Sequence, residues 1–541
     1  MPSHDNVFRG SRSVADYFDP DKNPPLPLIE LPDRLNPFKG DNNIKSLPAL
    51  KMLRNEPKAR DKKIVEASSG STVLSLGIIA RVLWGNEDVD AYVTNKKSPE
   101  SLSLLRFFGI RPCLYGGLAQ QEPTDPTGIM CRLRKKASQD GDVVYPGQYD
   151  NPNNWKAHEE WTGPQIFKQL PEINIFCATV GTGGAITGTG VHLKSQKSSV
   201  KVVGVFNVFG DPTPGPRHFH GFHTSGFPWQ GTVDSRVEVA SVDSYRMSMR
   251  LSREGLIAGP SSGQALQGLL DYITKLKQAG GLADLRDERT GEISCVFSCS
   301  DLPYQYLSVY FQKLGTDEFP PIENEILLQC DQAKHDERWI LDAQSAAVIL
   351  FGTGRTESGD QTAGPSLESL IGSQKDLPVY RVLHKRSNPI CSWIPRLLNL
   401  IPSLGQEKLG CCPSHFPAQN FSSTLVLDLR SPAAFKAGHL PGSFLTSLNG
   451  LGPELANGDL FGDANAVHLI WTQIQSTFDR QPALRLLKLA RENRQAVALV
   501  CYNGDASRLG ASTLRSRGIE AFSVGGGFQQ LWTVLERLNL V

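Results

Sequence analysis

Apolar and polar positions alternate regularly between residues 62 and 310. Short runs rich in β-branched and aromatic residues are typical of buried strands. These runs are Asp90–Thr94, Ile173–Val180, Lys201–Phe206 and Ser294–Ser298. Amphipathic stretches between them, such as Val73–Val82 and Ser101–Phe108, are typical of helices. The alternation of strand and helix predicts a doubly wound α/β sheet.

A second strand-and-helix pattern begins near residue 421, after a stretch without periodicity. From about Gly352 to Phe421, Gly, Ser, Thr, Pro and Gln crowd the chain, which predicts a linker or a poorly ordered insertion. Strands are then predicted at Thr424–Leu427, Val497–Val500 and Ala521–Val524. Because no internal repeat is visible, we predict two different domains, at residues 1–345 and 421–541, joined by a poorly ordered segment at 346–420.

Composition and charge favour a globular protein and give no sign of binding to nucleic acid or membranes. The 541 residues suggest about three domains, and 40% hydrophobic with 21% charged residues is typical of a globular chain. A net charge of +1 gives no bulk attraction to nucleic acid or to an anionic membrane. No apolar run approaches the roughly 18 residues of a membrane-spanning helix, and the first thirty residues do not resemble a secretory signal.

The cysteines favour a reducing compartment. Ten cysteines are spread along the chain and no CxxC pair occurs, so neither a disulfide framework nor a zinc site is indicated. We therefore expect free thiols and a cytoplasmic location, with a mitochondrial one left open.

Five polar or glycine-rich segments of the first domain carry candidate chemistry. Most of them lie at the ends of predicted strands, where side chains and backbone N–H groups converge in an α/β fold. In chain order they are Asn36–Ala49 with Lys45, Ala67–Thr72, Gly181–Gly184, Gly259–Gly263 and Ser298–Asp301.

The segment Gly181–Gly184 is the most informative of the five. It is not a Walker loop, since no Gly-Lys-Ser/Thr follows, and Ile186 replaces the third glycine of a dinucleotide fingerprint. A glycine loop at a helix N-terminus nevertheless exposes several backbone N–H groups, which form a phosphate cradle without side-chain charge.

The order of these segments resembles the fold-type II pyridoxal-phosphate enzymes, and within them the O-acetylserine sulfhydrylase (cysteine synthase) and cystathionine β-synthase group. The resemblance covers roughly residues 25–345. Further matching stretches are Thr94–Ser98, Leu105–Gly109, Tyr149–Asn154 and Thr162–Ile166.

The resemblance implies roles for individual residues and implies pyridoxal 5'-phosphate as the cofactor. Lys45 matches the lysine that forms the Schiff base, and a buried lysine loses its charge readily. The cofactor phosphate is assigned to Gly181, Thr182, Gly183 and Gly184. The substrate carboxylate is assigned to Ser68, Ser69, Gly70 and Thr72. Ser300 matches the serine that pairs with the pyridine nitrogen, with Asp301 as the alternative.

Departures from the family pattern concern the substrate and the rate rather than the fold. Ser71 replaces the asparagine that usually contacts the phenolic oxygen of the cofactor, and Lys45-Ser46-Leu47 replaces the usual Lys-Asp-Arg. His218, His220 and His223 form an HxHxxH run. We favour a loop over a metal site here, because Gly215–Pro228 matches a mobile loop of the family.

The C-terminal residues 421–541 resemble a rhodanese domain. Four motifs occur together: Asp-x-Arg at Asp428–Arg430, Gly-His-x-Pro-Gly at Gly438–Gly442, Cys-x-x-Gly-x-x-Ser at Cys501–Ser507, and Gly-Gly-x-x-x-x-Trp ending at Trp532. The resemblance implies that Cys501 accepts sulfane sulfur as a persulfide.

The surroundings of Cys501 predict a reactive thiol of limited turnover. Loop N–H groups, with a helix predicted from Arg508, should lower the pKa of the thiol and stabilise an anion. Ala506 occupies a position that is often arginine in active members, and Arg508 lies two residues further on. Ser507 stands where a phosphatase of related fold would need arginine, which disfavours that activity.

Three functions follow from the two resemblances. The first is pyridoxal-phosphate-dependent β-replacement, which forms cysteine from an activated serine such as O-acetylserine and a sulfur nucleophile, with a fused sulfur carrier. The second is β-elimination or deamination by a desulfhydrase or dehydratase. The third is a non-catalytic sulfur-binding regulator. The family resemblance also implies a homodimer that acts on small molecules.

Overall fold

A computed structural model of the protein describes residues 16, 18–22, 28, 46–68, 70–116, 121–221, 226–332, 337–351, 424–449, 451–452 and 460–541. The chain forms two compact units, Met1–Pro321 and Ile322–Val541. Within the described ranges, no helix has the length and apolar character that a bilayer crossing needs. Lys45, Ser69 and His223 and the predicted linker at 352–420 lie outside the described residues.

The first sheet of unit 1 positions the Ser68–Thr72 segment. Its strands are β1 (Lys63–Ala67), β2 (Val89–Thr94), β3 (Arg111–Tyr115) and β4 (Val143–Val144). They pair in the order β3-β2-β1-β4, and every pair is parallel. β1 is an inner, buried strand. Its carboxyl end therefore lies at the edge of the sheet where parallel α/β sheets bind ligands.

The second sheet of unit 1 positions the glycine loop. Its strands are β5 (Ile173–Thr179), β6 (Lys201–Asn207), β7 (Ser235–Val239) and β8 (Ser294–Phe297). All pairs are parallel, in the order β7-β6-β5-β8. Gly181–Gly184 follows β5 and Ser300 follows β8, so two candidate segments end neighbouring strands.

Helices connect the strands and cover both sheets of unit 1. The α-helices are Ser46–Arg54, Ser71–Trp84, Pro99–Phe107, Ile129–Gln139, Asn153–Ala157, Gly163–Gln169, Gly184–Gln196, Trp229–Thr232, Ser241–Arg253, Pro260–Gln278 and Leu307–Leu314. A π-helical turn spans His158–Thr162, and 3₁₀ turns span Pro57–Arg60, Phe219–Gly221, Ala283–Leu285, Tyr304–Tyr306 and Thr316–Glu318. Apolar clusters pack between sheet and helix on both faces of the second sheet.

Unit 2 is a five-stranded parallel sheet with helices around it. Its strands are β9 (Ile340–Leu341), β10 (Leu425–Asp428), β11 (Phe444–Leu445), β12 (Val497–Val500) and β13 (Ala521–Val524), in the order β11-β10-β12-β13-β9. The α-helices are Ala343–Phe351, Pro432–Ala437, Ala464–Phe478, Ala483–Glu492, Asp505–Ser516 and Gly527–Arg537, and 3₁₀ turns span Glu325–Gln329, Glu337–Trp339 and Leu460–Gly462. β12 is central, and Cys501 follows its last residue at a buried position.

The predicted α/β class is confirmed, and the domain boundaries differ from those we predict. The compact units divide after Pro321 rather than after residue 345. The helix Ala343–Phe351 crosses the predicted boundary, and β9 just before it pairs with β13 of unit 2. A two-residue strand and a single apolar helix have too little pattern to be assigned to a distant domain from sequence.

Candidate functional site

The Ser68–Thr72 loop turns sharply out of β1 into a helix. Ser68 is buried, and its Oγ accepts a hydrogen bond of 3.0 Å from the N–H of Gly70. Gly70 has φ of +130°, a conformation that L side chains rarely adopt, and the helix begins at Ser71. The first N–H groups of that helix have no carbonyl partner within it. Ser71 and Thr72 lie half-buried in this first turn.

The glycine loop Gly181–Gly184 is closely packed from two sides. A Cβ at Gly181 would lie 2.9 Å from the carbonyl oxygen of Gly215, and one at Gly184 would collide with the carboxamide of Asn154. Gly183 has φ of +85° and precedes the helix Gly184–Gln196. Glycine is therefore required at positions 181, 183 and 184 of this loop, whose backbone N–H groups lie at a helix N-terminus.

Amide side chains tie the glycine loop to the end of β1. The Nε2 of Gln148 donates to the carbonyl of Ala67 at 2.6 Å, and the Nδ2 of Asn154 donates to the carbonyl of Gln148 at 2.6 Å. Asn154 also lies 3.3 Å from the Oγ1 of Thr182, which in turn accepts the N–H of Gly184 at 3.2 Å. One buried network thus fixes both loops. The sequence signals only part of it, in the matching stretch Tyr149–Asn154.

Glu66 is a buried carboxyl group next to this network. It is fully shielded from solvent, and it accepts the N–H of Gly147 at 2.9 Å and that of Ala67 at 3.0 Å. Burial outweighs these hydrogen bonds and raises the pKa of Glu66 to about 8. We did not single this residue out, although one acidic residue inside an apolar strand is a signal that sequence carries.

Asp301 caps a helix at the edge of the site. Its Oδ2 accepts the N–H of Ser261 at 3.0 Å, and its Oδ1 accepts the N–H of Ser262 at 3.1 Å and the Oγ of Ser262 at 2.7 Å. Asp301 therefore accepts hydrogen bonds from the N–H groups in the first turn of the helix Pro260–Gln278 and acts as an N-terminal cap. The hydroxyl of Ser300 lies 3.3 Å from that of Ser261.

Two cavities flank the Ser68–Thr72 loop. One, of about 780 Å³, is lined by Ser71 and Ser300 together with Asp301, and we call it the Ser71–Ser300 groove. The other, of about 380 Å³, is lined by Ser68, Gly215 and Arg217, and we call it the Arg217 cleft. The structure thus brings Ser71 together with Ser300, whereas none of Gly181–Gly184 lines either of these two cavities.

The histidine run forms part of a turn beside β6. His218 makes a backbone bridge with Asn207, and its ring lies 5.3 Å from that of Phe209. The ring of His220 lies 5.4 Å from that of Phe219. Among the described residues, which exclude His223, no group of three His, Cys, Asp or Glu side chains could hold a metal ion.

In unit 2, the loop after β12 wraps around the sulfur of Cys501. The Sγ accepts the N–H of Gly504 at 3.1 Å and that of Ser507 at 3.3 Å. Gly504 has φ of +106° and caps a helix that begins at Asp505. The prediction of a helix from Arg508 is therefore wrong by one turn, since a left-handed glycine lets the helix begin directly after it.

The pKa of Cys501 moves in the direction opposite to our expectation. Only 1% of the residue is exposed, and this burial raises the pKa of the thiol. Hydrogen bonds from Ser507 and from the backbone of Gly504 oppose the effect without reversing it. The hydroxyl of Ser507 lies 3.3 Å from the sulfur and 2.8 Å from the hydroxyl of Ser523.

Arginine 508 does not replace the missing arginine at position 506. Ala506 is buried, and the guanidinium of Arg508 lies over the ring of Phe461, 4.8 Å from its centroid. The other motif arginine, Arg430, is bound to Asp428 at 2.7 Å and to the carbonyl of Gly438 at 2.7 Å. The loop around Cys501 therefore stabilises sulfur through N–H and hydroxyl groups.

Comparison with known protein families agrees with both resemblances. The profile of the family described as pyridoxal-phosphate dependent enzyme matches residues 33–285, and that of the rhodanese-like domain matches residues 418–533.

Cysteine synthases are among the relatives of unit 1. The enzyme of Staphylococcus aureus is 30% identical over 229 residues, which cover 40% of this chain and 70% of the relative. Cysteine synthase of Aquifex aeolicus is 29% identical over 260 residues, which cover 47% and 77%. A solved structure, a hydrogen sulfide-producing enzyme from Fusobacterium nucleatum, is 22% identical with a TM-score of 0.44, and covers 52% of this chain and 96% of its own. The chain therefore belongs to the pyridoxal-phosphate-dependent enzyme family that includes the cysteine synthases, and it carries a rhodanese-like domain in its second unit.

Proposed function

We propose that unit 1 catalyses β-replacement at an activated serine and that Cys501 of unit 2 carries sulfur. The observation that carries the proposal is the pair of helix N-termini after β1 and β5, joined by one buried amide network. Both expose backbone N–H groups, and one amino-acid carboxylate and one phosphate are the anions that such a pair suits. Cysteine synthase relatives at about 30% identity support the same reaction class.

The residues of the glycine loop fit the phosphate of the cofactor. Packing against Gly215 and Asn154 fixes the backbone of Gly181 and Gly184, and Thr182 is held by Asn154. The loop N–H groups at the helix N-terminus are the proposed phosphate ligands. When bound, pyridoxal phosphate supplies an electron sink for the substrate α-carbon. The neutral hydroxyl of Ser300 is the proposed partner of the pyridine nitrogen, because the carboxylate of Asp301 is engaged by Ser261 and Ser262.

Each remaining residue of the loop at β1 has a proposed role in the reaction. Ser68, Ser69, Gly70 and Thr72 hold the substrate carboxylate, and Ser71 faces the cofactor ring from the groove that it shares with Ser300. Lys45, outside the described residues, removes the α-proton and later returns one. The bond from the β-carbon to oxygen breaks, its electron pair leaves with the carboxylate, and a bond from the β-carbon to sulfur forms. O-acetylserine and hydrogen sulfide thus give cysteine and acetic acid.

The proposed role of Cys501 is a separate sulfur-transfer step. The thiolate attacks the outer sulfur of a sulfane donor such as thiosulfate, the sulfur–sulfur bond of the donor breaks, and sulfite leaves with the electron pair. A persulfide remains on Cys501. The N–H groups of Gly504 and Ser507 support the sulfur anion, whereas burial and a raised pKa favour slow loading at neutral pH.

A product assay tests the function of unit 1. Holoenzyme supplied with O-acetylserine and sulfide should form cysteine, and Lys45→Ala should abolish it. Borohydride reduction of the holoenzyme should tag the Lys45 peptide. Pyruvate and ammonia in place of cysteine would establish β-elimination instead, and a tag on Lys39 would contradict the role of Lys45.

Mass spectrometry tests the sulfur carrier. Exposure to thiosulfate or a better sulfane donor should add sulfur to the Cys501 peptide, and Cys501→Ser should lose it. Cys330→Ser is the matched control, since Cys330 is also a buried thiol of unit 2. Sulfur on Cys411 or Cys412 with Cys501 unmodified would contradict the proposal and favour a non-catalytic scaffold. The homodimer and the cytoplasmic location that the family resemblance implies remain proposals, and light scattering of the holoenzyme tests the first.

A further inference from the structure

The loop around Cys501 carries a negative charge of its own. Residues 501–507 contain one acidic residue, Asp505, and no lysine, arginine or histidine. Asp505 is half-buried and is the first residue of the helix Asp505–Ser516. The thiol of Cys501 is thus surrounded by N–H groups, while the charged residue closest to it along the chain is an anion.

One carboxamide links this anion to the sulfur. The Nδ2 of Asn503 donates to the Oδ2 of Asp505 at 2.8 Å, and the N–H of Asp505 donates to the Oδ1 of Asn503 at 3.1 Å. The same Oδ1 lies 3.9 Å from the Sγ of Cys501. The carboxylate is therefore held one side chain away from the sulfur, and two hydrogen bonds fix its position.

Asp505 also changes what the N-terminus of its helix can do. The first turn of a helix carries a partial positive charge, which favours an anion at that place. In this loop the chain itself supplies the anion, because Asp505 occupies the first helical position. An anion from solution that approaches Cys501 therefore gains less from the helix and is repelled by the carboxylate.

Two arginines that could balance Asp505 are engaged elsewhere. The guanidinium of Arg508, one residue beyond the loop, lies 4.8 Å from the centroid of the Phe461 ring. Arg430 follows the neighbouring strand β10, and its Nη2 donates to the carboxylate of Asp428 and to a backbone carbonyl, both at 2.7 Å. Neither guanidinium is therefore committed to Asp505.

We propose that Asp505 selects the sulfur donor of Cys501 by its charge. Cys501 accepts sulfur from an organic sulfane donor with a single negative charge, a thiosulfonate or a persulfide, in preference to the doubly charged thiosulfate. Asp505 is the residue that determines this specificity, because it opposes the additional charge of thiosulfate. This inference rests on the proposed role of Cys501 as a sulfur carrier and names the class of its donor.

The transfer is balanced with such a donor. The thiolate of Cys501 attacks the outer sulfur of methanethiosulfonate, the sulfur–sulfur bond of the donor breaks, and methanesulfinate leaves with the electron pair. A persulfide anion remains on Cys501, so two negative charges enter the reaction and two leave it. Thiosulfate brings a third charge to the same sulfur, beside the carboxylate of Asp505.

Rates of sulfur loading, measured by mass spectrometry on the full chain, test the proposal. The probes are methanethiosulfonate and thiosulfate, which differ by a methyl group in place of an anionic oxygen. Asp505→Asn should speed loading from thiosulfate by roughly three- to tenfold relative to loading from methanethiosulfonate. Raising the salt concentration should shift the ratio of the unchanged protein in the same direction, because salt screens the repulsion. Asp505→Glu should keep the ratio of the unchanged protein.

Glu520→Gln is the matched control. Glu520 is an exposed acidic residue of unit 2, and its carbonyl accepts the N–H of Val497, the first residue of β12, at 2.8 Å. It therefore lies at the end of the sheet opposite to Cys501, and its substitution should leave the donor ratio unchanged. Equal gains for both donors in Asp505→Asn would overturn the proposal, because Asp505 would then act on the thiol. A donor ratio that salt does not change would also overturn it.

Alkylation separates this inference from the proposed sulfur carrier. Iodoacetate and iodoacetamide attack the same thiol and differ by one negative charge, and neither transfers sulfur. Asp505→Asn should raise the rate of iodoacetate relative to that of iodoacetamide at Cys501 by a similar factor. If this ratio responds while neither donor loads sulfur on Cys501, the carrier role fails and the selection by charge stands. If sulfur loads on Cys501 but Asp505→Asn changes neither ratio, the inference alone is overturned.

Discussion

A glycine of positive φ between a strand and a helix occurs in both units, and it surrounds different chemistry in each. In unit 1, β5 ends in a glycine loop whose Gly183, at φ of +85°, precedes a helix. In unit 2, β12 ends in a loop whose Gly504, at φ of +106°, precedes a helix. The second loop directs the N–H groups of Gly504 and Ser507 at the chain's own sulfur. The first holds no side chain at 181, 183 or 184, so its N–H groups suit an anion from solution.

This comparison shows that the residues packed around such a loop determine which group its N–H groups bind. The carboxamide of Asn154 and the carbonyl of Gly215 pack against the glycine loop and leave no room for Cβ atoms at positions 184 and 181. Around Cys501, burial raises the pKa of the thiol, and the hydrogen bonds from Ser507 and Gly504 oppose that shift without reversing it. Four predictions follow from this difference.

The largest effect is expected when a charge enters the first loop. Gly183→Asp should lower cofactor affinity roughly a thousandfold, since two charges 4 Å apart repel by about 4 kcal/mol near a protein surface. Cofactor titration followed by absorbance measures the change. Gly210→Asp is the control, because Gly210 has φ of +77° and open space around its Cβ. Unchanged affinity in Gly183→Asp would mean that the phosphate binds elsewhere.

A smaller effect is expected behind the loops, at Glu66. Its pKa of about 8 in the folded protein exceeds its ordinary value near 4.5, so the folded state retains a proton that the unfolded chain loses. The resulting stability is fully present below about pH 4.5 and is lost as the pH rises to 8, a change of a few kcal/mol. Hydrogen exchange of β1 peptides should therefore accelerate with pH beyond the intrinsic chemical rate.

Glu66→Gln should flatten that stability profile between pH 4.5 and 8. Glu87→Gln is the control, since the side chain of Glu87 is 69% exposed. A profile in Glu66→Gln that still falls with pH would show that another group titrates.

Substitutions of Asp301 and Ser300 should have different effects, because we expect Asp301 to cap a helix and Ser300 to contact the cofactor. Asp301→Ala should destabilise the helix Pro260–Gln278 by about 1–2 kcal/mol through loss of its cap, while the absorbance of bound cofactor stays unchanged. Ser300→Ala should alter that absorbance with a smaller loss of stability. The reverse pattern would reassign the pyridine nitrogen to Asp301. Denaturant unfolding and absorbance spectra of both variants decide between them.

The smallest effect is expected at the hydroxyl beside Cys501. Ser507→Ala removes a hydrogen bond that favours the thiolate, so the pKa of Cys501 should rise further and alkylation at neutral pH should slow several-fold. Ser512→Ala is the control, because Ser512 is buried in the same helix and its hydroxyl has no partner among the described residues. Equal alkylation rates in the two variants would show that backbone N–H groups alone support the sulfur.

Much of the fold could be predicted because its strands are short apolar runs bounded by turn residues. β2, β5, β12 and β13 were all predicted to within one residue at each end. The helix after Cys501 was misplaced because Asp505, Ala506 and Ser507 look like loop residues until Gly504 adopts a left-handed conformation. The segments of the candidate site were found from their order, since glycine and serine at strand ends are visible in a sequence.

Properties that depend on burial could not be predicted. The sequence predicts that N–H groups surround Cys501. It does not show that only 1% of the residue is exposed, and this burial determines the direction of the pKa shift of the thiol. Arg217 lies in the segment Gly215–Pro228 that matches a family loop, but its burial and its hydrogen bonds with Tyr149 and Gln121 are visible only in the structure. The cap formed by Asp301 likewise joins segments about forty residues apart.

The strand β9 has a consequence for anyone who wishes to dissect this protein. Ile340 and Leu341 pair with Ser523 and Val524, and the carbonyl of Leu341 accepts the N–H of Gly525 at 2.8 Å. A fragment cut at residue 421, where the rhodanese-like pattern begins, would leave that side of β13 as an open edge with unpaired backbone groups. It would also strip the helix Ala343–Phe351 from the apolar face of Gly527–Arg537. We expect the fragment that starts at residue 421 to aggregate through this open strand edge. A fragment that starts at residue 322 keeps β9 as its edge strand.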